Sequence, residues 1–441
     1  MNEENRKKII ILFSTVVVFA IGVLIYFFFI KTPTIIPVDP NNPGDILRNP
    51  LSYEKPGLDN NQLNTETQYS YTETQSPEDK KLSKIWDKPT AGFSFVNQTL
   101  LVNSTTTKTI KGVPTEVTIQ NKVPSHKIYF VDSVTGFVYA YNLEKRSVYQ
   151  ISNSTIPAIY DAYIFNNGQN ILIRYADGDI VKSLTAQIPF VNEGNSPLPL
   201  ASISYLPNNI SSVSPSLFDK EISYVLPNEN GSSINTINSS SIKKIYTSLF
   251  SDWNISYGGN NLHLLTKPSS YILGTFMNLN SEVIVLRNKT GLNVLPSKTD
   301  NNLFASFLSN SGINNFIMST KTGSISYLTF KTLSEKCEWG VNDRFILCAV
   351  PYVLENGTNK ALPDSWYKGE VSFSDDIYIR DFKTNEESVF FRFKYETDEK
   401  LDIIKMKLNQ EESYLGMINK KDKSFWLLKT DYLVNIDNLV D

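Results

Sequence analysis

Two cysteines are the side chains whose spacing most directly predicts a chemical bond. They are Cys337 and Cys348, eleven positions apart, with the turn-forming pair Asn342-Asp343 midway between them. A two-residue turn there sets Cys337 opposite Cys348 in a strand hairpin, within the Cα separation that a disulfide requires. The sequence therefore predicts a disulfide, and the two-residue turn further predicts that the pair occupies a hydrogen-bonded position of the ladder.

Two other interpretations of the cysteines remain open. They could be a pair of buried free thiols. A metal site is a weaker alternative, because His126 and His263 are the two histidines of the chain and neither is near the cysteines in sequence.

A long insertion follows the cysteine hairpin, at Leu354–Asp376. Its aromatic and acidic residues form the predicted partner surface, which comprises Asp364, Trp366, Tyr367, Asp375 and Asp376. Exposed aromatic rings beside carboxylates are typical of a recognition patch. The alternative is that Trp366 and Phe373 fold back and fill a gap between structural units. The acids lack the alternating spacing of a calcium loop, so no metal site is predicted.

The motifs of common enzyme classes are missing from the sequence. There is no G-x-S-x-G, H-E-x-x-H, C-x-x-C, phosphate-binding loop or dinucleotide fingerprint. A pair of carboxylates for glycoside hydrolysis remains an open alternative, because the separation of two acids is a property of the fold. Asp161 and Asp252, each beside an aromatic residue, are the weak candidates. No catalytic residue and no cofactor is predicted.

The elements that carry these residues are strand hairpins. Alternating runs such as 127–143, 165–184, 315–330 and 414–430 each contain a central turn signal, for example Thr135-Gly136 and Asp177-Gly178. No stretch after residue 89 has a sustained helical period with caps. The body of the protein is predicted to be all-β.

Comparable hairpin units recur along the body, mostly at intervals of 40–46 residues. Their predicted starts are Ala91, Asp161, Pro207, Phe250, Val294, Ser334 and Asp402. A four-stranded unit of this length is typical of a β-propeller blade, whereas a run of sandwich domains would have longer periods. The prediction is a propeller of seven blades, with six or eight as alternatives, and with insertions near 100–125 and 355–370.

The N-terminal part predicts a membrane anchor. Ile9–Ile30 contains 22 residues without a charge, enough for a helix to span a bilayer. Arg6, Lys7 and Lys8 precede it and Lys31 follows, which places the N-terminus in the cytoplasm and the body outside. A cleaved signal peptide is the alternative, but its apolar region would be shorter and would end in small residues.

Three regions follow from this pattern. They are a cytoplasmic N-terminus and transmembrane helix at 1–31, a flexible, disordered linker with seven prolines at 32–88, and the propeller at 89–441. The net charge of −3 argues against a nucleic-acid partner, which would require a basic surface.

Five strings of residues carry a resemblance to known proteins. They lie at 159–175, 265–274, 332–351, 362–379 and 417–429. Together they resemble a family of uncharacterised membrane-anchored β-propeller proteins, TolB-like or WD40-like in form, from small-genome candidate-phylum bacteria. The resemblance implies an extracytoplasmic propeller, and it implies no activity and no functional residue. The Gly-His and Trp-Asp signatures of true WD40 blades are missing from this chain.

These observations predict a single-pass membrane protein of the cell envelope without catalytic activity. Its propeller would bind or scaffold a protein or glycan partner on the extracytoplasmic side. One alternative is a carboxylate-dependent glycosidase or lyase acting on an envelope polysaccharide. Another is a structural component of an envelope or pilus assembly.

Overall fold

The computed structural model describes residues 80–110, 113–217, 221–238, 241–310, 312–352 and 362–430. Within these ranges the chain forms seven four-stranded antiparallel sheets, which are the blades of a β-propeller. The predicted fold class and the predicted number of blades are confirmed.

The strands of the first four blades are given from the innermost strand outward. Blade 1 contains β2 (Thr90–Ile110), β3 (Val113–Asp132), β4 (Val138–Asn142) and β5 (Ser147–Gln150). Blade 2 contains β6 (Ile159–Phe165), β7 (Asn170–Asp177), β8 (Ile180–Gln187) and β9 (Ala201–Leu206). Blade 3 contains β10 (Ser212–Pro215), β11 (Ile222–Asn228), β12 (Gly231–Ile237) and β13 (Ile242–Ser248). Blade 4 contains β14 (Trp253–Gly258), β15 (Asn261–Thr266), β16 (Leu273–Asn278) and β17 (Val283–Thr290).

The last three blades follow the same order. Blade 5 contains β18 (Asn293–Pro296), β19 (Asn302–Ser309), β20 (Gly312–Ser319) and β21 (Ile325–Tyr327). Blade 6 contains β22 (Cys337–Trp339), β23 (Phe345–Pro351), β24 (Asp375–Asp381) and β25 (Glu387–Phe391). Blade 7 contains β26 (Ile403–Leu408), β27 (Tyr414–Asn419), β28 (Phe425–Lys429) and β1 (Leu82–Trp86). Short helical turns lie at Ser334–Lys336, at α1 (Asp364–Tyr367) and at Phe393–Tyr395.

Each predicted unit start lies close to an innermost strand. The largest offset is at blade 3, where Pro207 was predicted and β10 begins at Ser212. The regular interval worked as a guide because each blade is a simple meander, in which consecutive strands pair side by side.

Blade 7 is closed by the N-terminal strand β1, which pairs with β28 in the register Leu82↔Leu428. The linker was predicted to extend to residue 88, so the propeller begins earlier than expected. Leu82 and Trp86 are buried at the two ends of β1, while the residues between them are more exposed. One short strand in a polar surrounding gives no repeat signal, because it has no neighbour in sequence with which to form a hairpin.

The insertion predicted near 100–125 is an extension of the first hairpin. The pairing of β2 with β3 continues without a break to Ile110↔Val113, whereas β4 pairs with β3 only from Lys127 to Val131. The extra residues therefore lengthen two strands of blade 1 into a two-stranded arm.

The predicted anchor at Ile9–Ile30 and most of the predicted linker lie outside the described residues. Among the residues that are described, no helix has the length and apolar character to cross a membrane.

The cysteine hairpin contains the predicted disulfide. Cys337 pairs with Cys348 across β22 and β23, and their sulfur atoms are bonded. The prediction of a hydrogen-bonded ladder position was wrong. Gly340 N–H donates to the Phe345 carbonyl at 2.9 Å, so the turn contains four residues rather than two. Because hydrogen-bonded pairs alternate along the ladder, the cysteines occupy a non-hydrogen-bonded position, which agrees with their Cα separation of 4.0 Å.

Candidate functional site

The innermost strands of the blades surround a central channel. Because every blade is an antiparallel meander, the segments before the innermost strands lie at the same face as the connections between second and third strands. We call the opening at this face the channel mouth. The insertion after β23 and the turn between β27 and β28 both belong to it.

A cavity of about 360 Å³ lies in the channel. Polar side chains from blades 2 to 6 contribute to its wall, among them Arg174, Ser211, Asn254, Ser256, Asn293 and Glu335. Its size falls at the lower end of the range for small-molecule sites. The hydroxyl and amide groups of the wall can both donate and accept hydrogen bonds.

Asp161 lies at one side of the channel mouth, between two cations. Lys405 Nζ is 2.5 Å from one carboxylate oxygen, and Arg174 Nη1 is 3.3 Å from the other. The Tyr163 hydroxyl donates a hydrogen bond of 2.6 Å to the carboxylate. Burial acts to raise the pKa of Asp161, but Lys405 and the other partners bring it below its usual value. Asp161 is therefore an ionised, fully partnered carboxylate.

Lys405 reaches this position through an irregularity in β26. The pairing of β26 with β27 shifts register between Ile404 and Lys407, and Lys405 has a φ of 51°. Such a backbone conformation is uncommon for a residue other than glycine, and bulges of this kind redirect side chains. The bulge allows Lys405 Nζ to contact both Asp161 and the carbonyl oxygen of Ala91, at 2.7 Å.

Glu335 projects into the channel from the turn that precedes β22. The Tyr367 hydroxyl donates to Glu335 Oε1 at 2.6 Å, and Asn293 Nδ2 donates at 3.2 Å. Glu335 as a residue is exposed to the channel, but protein atoms crowd its carboxyl group. This desolvation raises the pKa of Glu335 to about 7. At neutral pH the group is therefore present in both protonation states.

A buried ion triad lies behind Glu335. Lys336 Nζ is 2.8 Å from Asp375 and 2.5 Å from Asp402, and all three side chains are inaccessible to solvent. The Lys336 ammonium also lies 5.2 Å from the centre of the Trp366 ring, while the indole N–H of Trp366 donates to Asp402 at 3.0 Å. Burial raises the pKa of Asp375 to about 6. Burial opposes ionisation of Asp402 as well, but Lys336 lowers the pKa of Asp402 below its usual value.

The predicted partner surface is only partly exposed. Trp366, Asp375 and Asp376 are buried, with 2%, 2% and 4% of their surface exposed. The prediction of an exposed patch at these three positions is therefore wrong. The physical reason for the burial of Asp375 is the triad, because a buried ammonium requires carboxylate partners. Trp366 stacks on Phe373, as in the alternative interpretation of the insertion.

The other two residues of that surface lie nearer to solvent. Tyr367 is 40% exposed and holds Glu335, as described above. Asp364 accepts hydrogen bonds of 2.6 Å from the backbone N–H and the hydroxyl of Ser270. This contact attaches α1 to the loop between β15 and β16 of blade 4. A role of these two residues in partner binding stays a prediction.

Two lysines of the β27–β28 turn complete the channel mouth. The Lys420 ammonium lies 4.9 Å from the centre of the Trp366 ring, and its backbone N–H donates to the carbonyl of Asp402. Burial lowers the pKa of both Lys420 and Lys423, and the positive charges of Lys405 and Lys420 lower that of Lys423 further. Among the described residues, the Lys423 ammonium has no ion-pair or hydrogen-bond partner.

Sequence reasoning named Asp161 and Asp375 but missed the other charged groups of the channel mouth. The available signal was a charged residue with apolar neighbours inside a strand, such as Arg174 in NILIRYAD or Lys405 in IIKMKL. The second acidic candidate, Asp252, is exposed and does not contribute to the cavity wall. His263 is a packed side chain, as expected, and its Nε2 lies 2.9 Å from Asp300 Oδ1.

No protein-family model matches the chain, and no curated protein matches it in sequence. Solved structures resemble it in fold. Hydrazine synthase of Kuenenia stuttgartiensis is 11% identical with a TM-score of 0.43, over 69% of this chain and 92% of that chain. The Cps50 (Swd1) β-propeller domain of Myceliophteria thermophila is 8% identical with a TM-score of 0.41, over 69% and 93%. An oligogalacturonate lyase in complex with manganese is 8% identical with a TM-score of 0.44, over 76% and 98%. At such low identities and TM-scores, the likeness carries no information about function.

Proposed function

We propose that this protein is a membrane-tethered binding module whose propeller takes a polar ligand at the channel mouth. The observation that carries the proposal is the cavity, in which hydrogen-bonding side chains from five neighbouring blades converge on one space. Convergent polar groups in a concave site are typical of ligand recognition. This arrangement favours a ligand that enters the channel over a partner protein that binds to the insertion after β23.

The location of the module is part of the same proposal. The apolar run Ile9–Ile30 and the basic residues before it support an anchor with the propeller on the extracytoplasmic side. The disulfide between Cys337 and Cys348 agrees with this location, because disulfides persist in oxidising compartments. The ligand would then be a component of the cell envelope.

Cross-linking and capture from native membranes test the proposal, with the full chain and its anchor intact. Ser256→Trp places a large ring in the cavity, and Ser324→Trp places the same ring on an exposed turn between β20 and β21. The wild type and the Ser324 variant should capture the same envelope component, and the Ser256 variant should lose it. Equal capture by all three proteins would show that the cavity is not the binding site.

One observation favours an enzyme as a second candidate. Glu335 has a pKa of about 7, while the pKa of Asp161 is below its usual value, and both groups belong to the channel mouth. Two carboxyl groups with opposite shifts are typical of an acid and base pair, as in glycosidases. Hydrolysis or elimination of an envelope polysaccharide that is abolished by Glu335→Gln would support this candidate. Ligand binding without turnover would support the binding module.

A further inference from the structure

The charges at the channel mouth do not balance. The five cations are Arg174, Lys336, Lys405, Lys420 and Lys423, and the four acids are Asp161, Asp375, Asp402 and Glu335. Glu335 is only partly ionised at neutral pH. The group as a whole therefore carries a surplus of between one and two positive charges.

The surplus is located at the β27–β28 turn. Asp161 with its two cations carries one net positive charge, and Lys336 with its two acids carries one net negative charge, so these two clusters offset each other. Lys420 has the Trp366 ring as its neighbour, and Lys423 has no partner among the described residues. Lys420 is half-buried and Lys423 is exposed, and the positive charge of Lys420 lowers the pKa of Lys423. An anion between the two ammonium groups would relieve this repulsion.

We propose that the channel mouth binds the end of a carboxylate-bearing saccharide, with its carboxylate between Lys420 and Lys423 and its hydroxyls against the polar cavity wall. This inference rests on the proposed function and specifies the ligand of the same site. The saccharide hydroxyls would meet Ser211, Ser256 and Asn293, whose side chains both donate and accept hydrogen bonds.

The size of the surplus favours a carboxylate over a phosphate. A phosphate monoester carries nearly two negative charges at neutral pH, and Asp161, Asp402 and Glu335 would repel it. The lysines also lack the fork of donors that gives arginine its preference for phosphate.

The polar wall favours a saccharide over an acidic peptide. An acidic peptide carries several carboxylates and few hydroxyls, whereas most polar side chains of the cavity wall are neutral hydroxyl and amide groups. The volume of about 360 Å³ accommodates the end of a chain rather than a long segment.

Calorimetric titration of the full chain in detergent micelles tests the inference with three probes. Trimannuronate and mannotriose form a matched pair, since they differ only in a carboxylate in place of each hydroxymethyl group. Triglutamate is the peptide probe. The wild type should bind trimannuronate at least tenfold more tightly than mannotriose, and added salt should reduce the difference.

Variants assign the binding to the proposed lysines. Lys423→Met should weaken trimannuronate binding about tenfold, and Lys420→Met should do the same if loss of its contact with Trp366 leaves the fold intact, as judged by thermal unfolding. Lys421→Met is the control, because Lys421 belongs to the same turn but its ammonium already has a partner, the carbonyl of Lys400 at 2.7 Å. It should leave the affinity unchanged.

Four results would overturn the inference. They are equal affinities for trimannuronate and mannotriose, an equal loss in the Lys421 and Lys423 variants, binding of triglutamate in preference to both saccharides, and no binding of any probe. In each case the proposed function stands or falls on the capture experiment with Ser256→Trp. If none of the probes binds, the saccharide proposal fails, and capture that is blocked by Ser256→Trp would still support the binding module.

Discussion

The ion triad of Lys336, Asp375 and Asp402 gives the sharpest prediction about stability. Lys336→Met keeps most of the side-chain volume but removes the ammonium from between two carboxylates. All three side chains are inaccessible to solvent, so no water replaces the lost partner. Removing one member of a buried ion pair costs about 3–5 kcal/mol, because the remaining charge is left without compensation.

Urea titration followed by tryptophan fluorescence measures the free energy of unfolding, and thus the stability lost in Lys336→Met. Lys336→Met should lower it by about 3–5 kcal/mol, a large part of the roughly 5–15 kcal/mol typical of native proteins. Lys298→Met is the matched control. Its partner Glu338 lies 2.8 Å away, but both side chains are partly exposed, so a loss of about 0–1 kcal/mol is expected.

A double-mutant cycle identifies the charge as the cause. Asp402→Asn in the Lys336→Met background should restore part of the lost stability, with a coupling energy of about 0.5–3 kcal/mol. The reasoning is refuted if Lys336→Met costs no more than Lys298→Met, or if the two substitutions in the triad are additive.

Three further predictions concern the disulfide, a glycine and pH. Cys337 and Cys348 should resist thiol labelling until a reductant is added, and ready labelling without reductant would contradict the disulfide. Replacing both cysteines with serine should lower the free energy of unfolding by ~2–3 kcal/mol. Gly168→Ala should cost about 1–3 kcal/mol in urea unfolding, because φ is 81° and the new Cβ would lie 2.8 Å from both methyl groups of Val96; no loss would show that the backbone adjusts. The folded pKa of Asp375, about 6, exceeds the ordinary value of 3.8, so its contribution to stability is complete below pH ~4 and is lost as the pH rises to about 6. Asp375→Asn should remove this decrease, worth up to ~3 kcal/mol between pH 4 and 6.5, and an unchanged slope in the variant would contradict the shift.

The sequence predicts the repeated parts of the fold well. Hairpin turns such as Asp177-Gly178 lie where expected, because each turn and its strands are adjacent in sequence. The register of the cysteine hairpin follows from the position of its turn. Its hydrogen-bonding pattern depends on the size of the turn, and Gly340 pairs with Phe345 where a shorter turn was expected. Likewise β1 pairs with a strand more than 300 residues away, a distance at which local pattern carries no information.

The channel mouth could be predicted only in part, for a related reason. Asp161 and Lys405 are 244 positions apart, and they meet because blade 7 closes the ring beside blade 1, from where Lys405 reaches blade 2. The sequence favours the aromatic insertion as a partner surface because Trp366, one of five tryptophans, and Tyr367 are large residues in a long loop. Their role as neighbours of Lys336 and Glu335 depends on burial, which composition does not reveal.

Site-specific photo-cross-linking in native membranes tests the central claim, ligand binding in the channel, most directly. A benzophenone amino acid in place of Ser256 lies in the cavity wall, and the same replacement at Ser324 lies on an exposed turn. Irradiation should give a discrete adduct from position 256, identified by mass spectrometry, and no such adduct from position 324. An adduct at position 324 with none at position 256 would contradict ligand binding in the channel.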